Sequence, residues 1–345
     1  MSETGVTRQG QRGIRPGSQA VPGSSKNRRW GRQKRAEQPM VPPAEFTSYY
    51  GKPVLNAPVW EPRDIAGYLF LGGLAGTSSL LGAGAQLTGR PSLARAAKTG
   101  AFGAGCLSMA ALVHDLGRPA RFLNMLRVVK ISSPMNVGSW LLGAYVPAAG
   151  VAAASALTGR IQRFGAAATA GAALLGPAVA TYTAVLISDT AVPAWHEGYP
   201  EMPFLFAGSA ATAAAGLGLL ATPLEQNAPA RNLGLFGACL ELAASHRMTS
   251  RIGMVAEPYH SGRGGMYMKA GEILAGLGAI GSLIGRRSRT AAALSGAALL
   301  GSSAATRWGV FHAGLASADD PKYTIIPQRE RLRRRFPATA AEAPR

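Results

Sequence analysis

Between residues 64 and 311 the chain alternates long apolar runs with short polar joints. Eight runs approach the roughly 20 residues that a helix needs to cross a bilayer. They are Asp64–Leu87, Thr99–Asp115, Val137–Thr158, Phe164–Ser188, Pro203–Thr222, Ala230–Ser245, Met266–Ile284 and Thr290–Phe311. Hydrocarbon cannot hydrogen-bond an open backbone, so each run is predicted to be helical. The expected fold is all-α: a polytopic membrane protein of eight transmembrane helices over residues 64–311, arranged as two four-helix bundles, although no sequence repeat marks the halves. The second and sixth runs are the shortest or most interrupted. Pro177 falls inside the fourth and is expected to kink it, because proline has no amide hydrogen and crowds the preceding turn. Small-residue stretches such as AGAALLGPAVATYTA predict close helix-to-helix approach. Short connections predict antiparallel neighbours.

The flanks are different in character. Residues 1–44 form a basic tail of Gly, Ser, Arg and Lys with no apolar leader core, which predicts disorder and no signal peptide. Residues 45–63 are extended, aromatic and proline-containing, and residues 312–345 read as an extended basic tail. Both FTSYYGKPVLNAPVW and DDPKYTIIPQRERLRRR suit straps on a soluble partner or interfacial disorder. Composition agrees with a membrane class: 47% of residues are hydrophobic, 15% are charged, and there are 44 glycines. The net charge of +19 raises nucleic acid as a partner. Eleven Lys/Arg in residues 1–63 and seven in 322–345 put much of that charge beside the membrane segments, where it serves topology or anionic lipid instead. No nucleic-acid partner is expected. Cys106 and Cys239 lie in apolar runs and read as small buried hydrophobes. Two thiols are too few for the usual iron–sulfur ligand set. All five His lie at predicted helix ends or in loops, which disfavours a haem held between facing helices. No metal, haem or iron–sulfur cluster of its own is expected.

An even number of crossings puts both tails on one rim of the bundle. On that tail rim fall His114, His196, His246, His260 and His312, and Trp30, Trp60, Trp140, Trp195 and Trp308. Of 17 acids, only Glu225 lies in an opposite-rim loop. The opposite loops hold Arg90, Arg95, Lys98, Arg160, Arg163, Arg231, Arg286, Arg287 and Arg289. Residues able to move protons therefore gather on the tail rim, which is expected to dock a partner and house the reactive site. Short-loop Lys/Arg number eight on the tail rim and nine opposite, a tie under the positive-inside rule. The polybasic tails break it and place both termini in the cytoplasm of a cell (plasma) membrane.

Three groups of residues carry candidate chemistry. His114 and Asp115 end the second run, and Arg118 and Arg121 follow. Such groups are either solvated anchors or a quinone-head site, where a His beside a carboxylate is a suitable proton carrier. Tyr68, Asn136, Ser139 and Trp140 lie at the same level and suit a ring entering from the bilayer. Asp189, with Trp195, His196 and Glu197, marks either an interfacial loop or a proton route. Glu241, in LGLFGACLELAAS, is expected one or two turns from its helix end. An intramembrane carboxylate points to function, and Glu272 is a candidate neighbour. The bland alternative is a structural pairing with Arg307 or Lys269.

These residues resemble a known family. VWEPRDIAGYLFLGGLAG, HDLGRPARF with SPMNVGSW, YTAVLISDTAVPAWHE and PFLFAGSAATAAAG are similar to the first five helices of the NrfD-type membrane subunits of polysulfide reductase-like molybdoenzymes. The resemblance spans about residues 46–330, and the FTSYYGKPVLNAPVW segment is similar to the branch found beside formate dehydrogenase-type catalytic subunits. It implies an eight-helix subunit that exchanges electrons between a quinone or menaquinone pool and a ferredoxin-like iron–sulfur subunit, itself coupled to a molybdopterin catalytic subunit. It implies a quinone site in the first four helices, with Tyr68, His114, Asp115 and Asn136 as candidates and Glu61 or Asp64 at the head of the first helix. In relatives the active face is often outside the cytoplasm, against the argument from the tails. The competing readings are a proton-conducting or transport protein, with Glu241, Glu272 and Arg307 as a path, and a purely structural anchor.

Overall fold

The computed structural model describes residues 60–116 and 120–335, with Val6–Thr7, Gly10–Gln11, Leu55 and Pro58. The residues before Trp60 are otherwise outside it, as are Gly117–Pro119 and 336–345; the expectations for the N-terminal tail, for most of the 45–63 strap and for Arg118 fall there. Apart from the two-residue antiparallel pair Val6–Thr7 and Gly10–Gln11, the described elements are helical. They are α1 (Pro62–Leu87), α2 (Pro91–Asp115), short α3 (Ala120–Leu126), α4 (Pro134–Thr158), α5 (Gln162–Ser188), short α6 (Pro193–Glu197), α7 (Met202–Ala221), α8 (Ala228–Arg251), one-turn α9 (Glu257–His260), α10 (Gly262–Ile284), α11 (Arg289–Asp319) and α12 (Lys322–Arg335).

Among the described residues, five helices are long and apolar enough to cross a membrane: α1, α2, α4, α5 and α7. α8, α10 and α11 are of similar length, at 24, 23 and 31 residues. They carry Glu241, Glu272 and Arg307 in their interiors, and such residues lower mean hydropathy. Proline at the first helical positions starts α1, α2, α4, α7 and α8, where its missing donor is no loss. Ser133 and Ser288 cap α4 and α11 by accepting the amides of Asn136 (3.4 Å) and Ala291 (3.3 Å). Gly159, at φ 68°, ends α4 in the left-handed conformation that glycine tolerates.

Several boundaries differ from the sequence reading. α2 begins at Pro91 rather than Thr99, because Arg95 and Lys98 lie within its first turns. α11 runs on to Asp319, and α12 replaces much of the extended C-terminal tail. Pro177 lies within α5, which is continuous through it, as Pro147 does in α4.

α1 is the central helix. Of its apolar stretch 78% is buried, against 39% for α2 and 33% for α4, and it packs on α2, α5, α7 and α11. Glycines set the closest crossings. A Cβ on Gly76 would stand 2.3 Å from the Gly176 carbonyl oxygen, so α1 and α5 touch backbone to backbone. Gly216 and Gly296 do the same for α7 and α11, at 2.5 Å. In lipid, where apolar side chains gain little by leaving solvent, such close packing is a main source of association.

Contacts sort the helix ends onto two rims. On the tail rim, α6 wedges the fully buried Trp195 between Trp60 (ring centroids 5.8 Å) and Phe311 (5.5 Å), with its indole N–H donated to the Val310 carbonyl at 2.8 Å. Trp195 is thus core rather than an interfacial anchor. Ion pairs from Lys322 to Glu257 (3.0 Å) and from Arg331 to Glu197 hold α12 against this rim. On the opposite rim, the Arg289 guanidinium donates to the Leu219 and Leu220 carbonyls, and Gln226 accepts the Ser92 amide at 2.8 Å. Cys239 is exposed and Cys106 half-buried, so neither is the buried hydrophobe expected. Each lies on a helix side that the bundle leaves uncovered.

Glu201, 5% exposed at the head of α7, takes two hydrogen bonds from Arg251 at the end of α8, at 2.8 and 2.7 Å. That guanidinium holds the Glu201 carboxyl below the usual carboxylate range. A depressed carboxyl pKa stabilises the fold fully above the unfolded-state value, and the contribution is lost as pH falls through the folded-state value. Arg251→Met is expected to cost about 1–3 kcal/mol, less than a fully buried pair because Arg251 is partly exposed. Thermal unfolding in detergent, followed from neutral into acid pH, should show a lower Tm with a flatter acid limb. An unchanged Tm and acid limb would show that the pair contributes nothing.

Candidate functional site

The first cluster sits where α1 begins and α2 ends. Asp64, in the first turn of α1, meets His114, in the last turn of α2: His114 Nδ1 to Asp64 Oδ2 is 2.7 Å. The His114 side chain is 80% exposed and that of Asp64 21%. The carboxylate thus faces one ring nitrogen, while Nε2 has no hydrogen-bond partner among the described residues. Asp115, half-buried, accepts the Glu61 amide at 3.3 Å. Of the two acids offered at the head of the first helix, Asp64 takes the histidine and Glu61 gives its backbone to Asp115.

Tyr68 lies one turn deeper, on the face of α1 that carries Asp64, because residues four apart stack along a helix. It is 2% exposed, and its hydroxyl meets that of Tyr182 from α5, with the rings edge to face at 6.3 Å. Ser108 of α2 donates to the Tyr68 carbonyl at 3.2 Å. Gly138 of α4 leaves room for the Tyr182 ring, which a Cβ there would meet at 2.3 Å. Tyr182 escaped the sequence reading, yet it stands six residues from the tail-rim end of α5, as Tyr68 does from that of α1.

Asn136, Ser139 and Trp140 come together, but around a different partner. The Asn136 amide donates to the Met125 and Val128 carbonyls at 2.7 and 2.8 Å and accepts the Lys130 amide at 2.7 Å. Ser139 donates to the Met135 carbonyl at 3.0 Å, and Trp140 Nε1 donates to the Val128 carbonyl at 3.2 Å. Asn136 and Trp140 thus satisfy carbonyls at and just beyond the end of α3, while Ser139 bonds back to a carbonyl of α4 itself. They shape the connection from α3 to α4, and no contact joins them to His114 among the described residues.

The second cluster is deeper. Glu241 lies ten residues before the end of α8, not the one or two turns expected, because α8 continues to Arg251. Glu272 lies ten residues after the start of α10, and Thr212 ten after the start of α7. At 1.5 Å per residue all three are about 15 Å from the tail rim, half the hydrocarbon thickness. The Glu241 carboxylate is 3% exposed and accepts from the hydroxyls of Thr306 (2.6 Å) and Thr212 (3.2 Å). Ser245 donates to Glu272 at 3.4 Å. A cavity of about 10 Å³, the space of one water molecule, lies among Glu241, Glu272, Ser245, Met268 and Thr306. Arg307 is fully buried nearby, donates to the Phe206 carbonyl at 2.7 Å and lies 3.7 Å over the Phe206 ring. Its Nε and Nη1 have no hydrogen-bond partner among the described residues. Asp189 is exposed at the end of α5 and does not join this cluster. The threonines were missed because a hydroxyl in an apolar helix carries no signal until its partner is known.

Among the described residues, no three His, Cys, Asp or Glu side chains converge to hold a metal ion.

A His–carboxylate pair thus joins α1 and α2 at the rim, over a tyrosine pair of which Tyr68 is buried and Tyr182 half-buried. The chain belongs to the NrfD family: residues 55–232, just over half of it, match the family described as polysulphide reductase, NrfD. Its members are membrane subunits of quinone-linked oxidoreductase complexes and partner with iron–sulfur and molybdopterin subunits. The chain is accordingly an integral membrane protein. No curated protein matches it. The match is shorter than the resemblance over residues 46–330: it takes in the rim cluster and stops in the first turns of α8, before Glu241, Glu272 and Arg307.

Proposed function

We propose that the chain is the quinone-reactive anchor of a molybdopterin oxidoreductase, formate dehydrogenase-like in its partners, in a cell membrane. All eight long helices cross the bilayer as two four-helix sets, with both termini on the cytoplasmic side. A ferredoxin-like iron–sulfur subunit docks on the tail rim and exchanges electrons with a quinone or menaquinone held at the head of α1 and α2. The observation that carries this reading is the 2.7 Å His114–Asp64 pair, which lies within the span matched to the family.

Quinone reduction adds two electrons and two protons, and the second is as much a protein problem as the first. Asp64 on Nδ1 favours the imidazolium form of His114 and fixes the ring, so that Nε2–H points away from the carboxylate toward the quinone carbonyl. With electrons from the iron–sulfur subunit, His114 hands its proton to one reduced oxygen, the other oxygen takes its proton from the solvent, and His114 is recharged from the solvent at its exposed edge, with Asp115 adding negative charge beside it. Quinol oxidation runs the same transfers backwards. The Tyr68–Tyr182 hydroxyls offer hydrogen bonds below. Asn136, Ser139 and Trp140 act as positioning residues that hold the α3–α4 connection at the side of the ring.

Glu241, Glu272 and Arg307 form a separate proton path at mid-depth, from which Asp189, exposed at the end of α5, stands apart. A second reading, proton conduction as the main activity, is favoured by the water-sized cavity between Glu241 and Glu272 and by a buried Arg307 whose Nε and Nη1 have no partner among the described residues.

His114→Ala in the intact complex is expected to lower quinone turnover about a hundredfold or more, the usual worth of a positioned acid–base group. Artificial-dye activity of the catalytic subunit should stay at the wild-type level. Unchanged quinone turnover would remove His114 from the reaction. Glu241→Gln keeps the size and one of the two accepting oxygens that the threonines use while abolishing the titration. It should slow proton-coupled turnover and alter its pH profile, and wild-type rates across pH would exclude the path.

A further inference from the structure

The opposite rim holds a pocket that the quinone reading does not use. About 250 Å³ in volume, it lies among Gln86 and Gly89 at the end of α1, Arg90, Arg95 and Lys98 at the start of α2, and Ala156 near the end of α4. Three cations line it and no carboxylate does. Lys98 is 8% exposed and its ammonium is held by the Gln86 side-chain oxygen, so a positive charge is fixed inside the wall rather than waving from the surface. Arg90 is half-buried, and Arg95 is exposed. The N-terminal end of the 25-residue α2 adds the positive pole of its backbone dipoles. The carbonyl end of α4 opposes this, but partial charges there are outweighed by three full ones.

Position selects the kind of anion. The pocket lies between α2 and α4, the two apolar helices with the least buried surface. Leu87, 87% exposed, and Leu157, 60% exposed, are the chain neighbours of the lining residues Gln86 and Ala156. A ligand here meets cations at the level of the bilayer surface and bare apolar side chains on the membrane side. That combination fits an amphiphile better than a free ion. We propose that this pocket binds the phosphate of an anionic glycerophospholipid, with Arg90, Arg95 and Lys98 around the phosphate oxygens and the acyl chains lying along Leu87 and Leu157. The site depends only on the chain lying in a membrane, and it stands or falls separately from the quinone assignment.

The test uses the full-length protein, purified in mild detergent and stripped of lipid. Phosphatidylglycerol and cardiolipin are added back, with phosphatidylcholine as the uncharged comparison, and bound lipid is counted by native mass spectrometry. Wild type is expected to retain an anionic lipid, and R90Q/R95Q to bind it at least about tenfold more weakly, as loss of charge-assisted hydrogen bonds requires. K98M tests the buried cation, while the more exposed R90Q/R95Q pair keeps the answer readable should K98M fail to fold. R286Q/R287Q, which removes two charges from the same rim outside the pocket, should bind as wild type does. Equal binding by R90Q/R95Q and wild type, or equal loss in R286Q/R287Q, would overturn the proposal. Displacement of the lipid by millimolar inorganic phosphate would also overturn it, because the pocket would then be a simple anion site.

Discussion

A charge in the hydrocarbon core of a bilayer must be paired, hydrogen-bonded or moved to the edge. That constraint arranges most of this molecule. His114, Asp64, Asp115, Glu197, Glu201 and Glu257 all stand at helix ends on one rim, and each of them has a hydrogen-bonding partner there. The opposite rim is cationic and spends its charges differently. Arg289 closes the carbonyl end of α7, and Arg90, Arg95 and Lys98 surround a pocket. Only where the protein makes its own polar interior does a charge go deep. Glu241 is accepted at mid-depth because Thr212 and Thr306 solvate it and Arg307 lies close by.

The two titratable clusters divide the molecule. The rim cluster joins α1 to α2 and is backed by α5 through Tyr182; the deep cluster joins α7, α8, α10 and α11. Arg307 stands between them. A Cβ on Gly73 of α1 would come within 3.0 Å of its Nη2, while the same nitrogen donates to Phe206 of α7. The helix that carries Asp64 and Tyr68 is therefore in contact with the cation nearest Glu241. The NrfD match covers the rim cluster and Thr212 and ends before Glu241, Glu272 and Arg307.

Much of this was legible in the sequence because the bilayer imposes a simple rule of length and hydropathy. The all-helical fold, the rim asymmetry and the candidacy of Tyr68, His114, Asp115 and Glu241 all follow from it. What was not legible depended on contacts between distant residues. Trp195 reads as an interfacial tryptophan until Gly314 is found to leave the notch that it fills. Asn136 reads as a ligand for a ring until its amide is seen to be used on the α3 carbonyls. Pro91 is a sound helix start, but Arg95 and Lys98 make the first turns of α2 look like loop to a hydropathy window. The depth of Glu241 was underestimated for the same reason: His246, Arg247 and Arg251 continue α8 as a polar helix where apolar character ends.

The central claim is that the chain meets quinone at the heads of α1 and α2. It is tested most directly by photolabelling the intact complex with an azido-quinone and mapping the adducts by peptide mass spectrometry. The account predicts labelling concentrated in the tail-rim halves of α1 and α2, around Asp64, Tyr68 and His114, and suppressed by excess unlabelled quinone. Competable labelling confined to α8, α10 or α11 would contradict it.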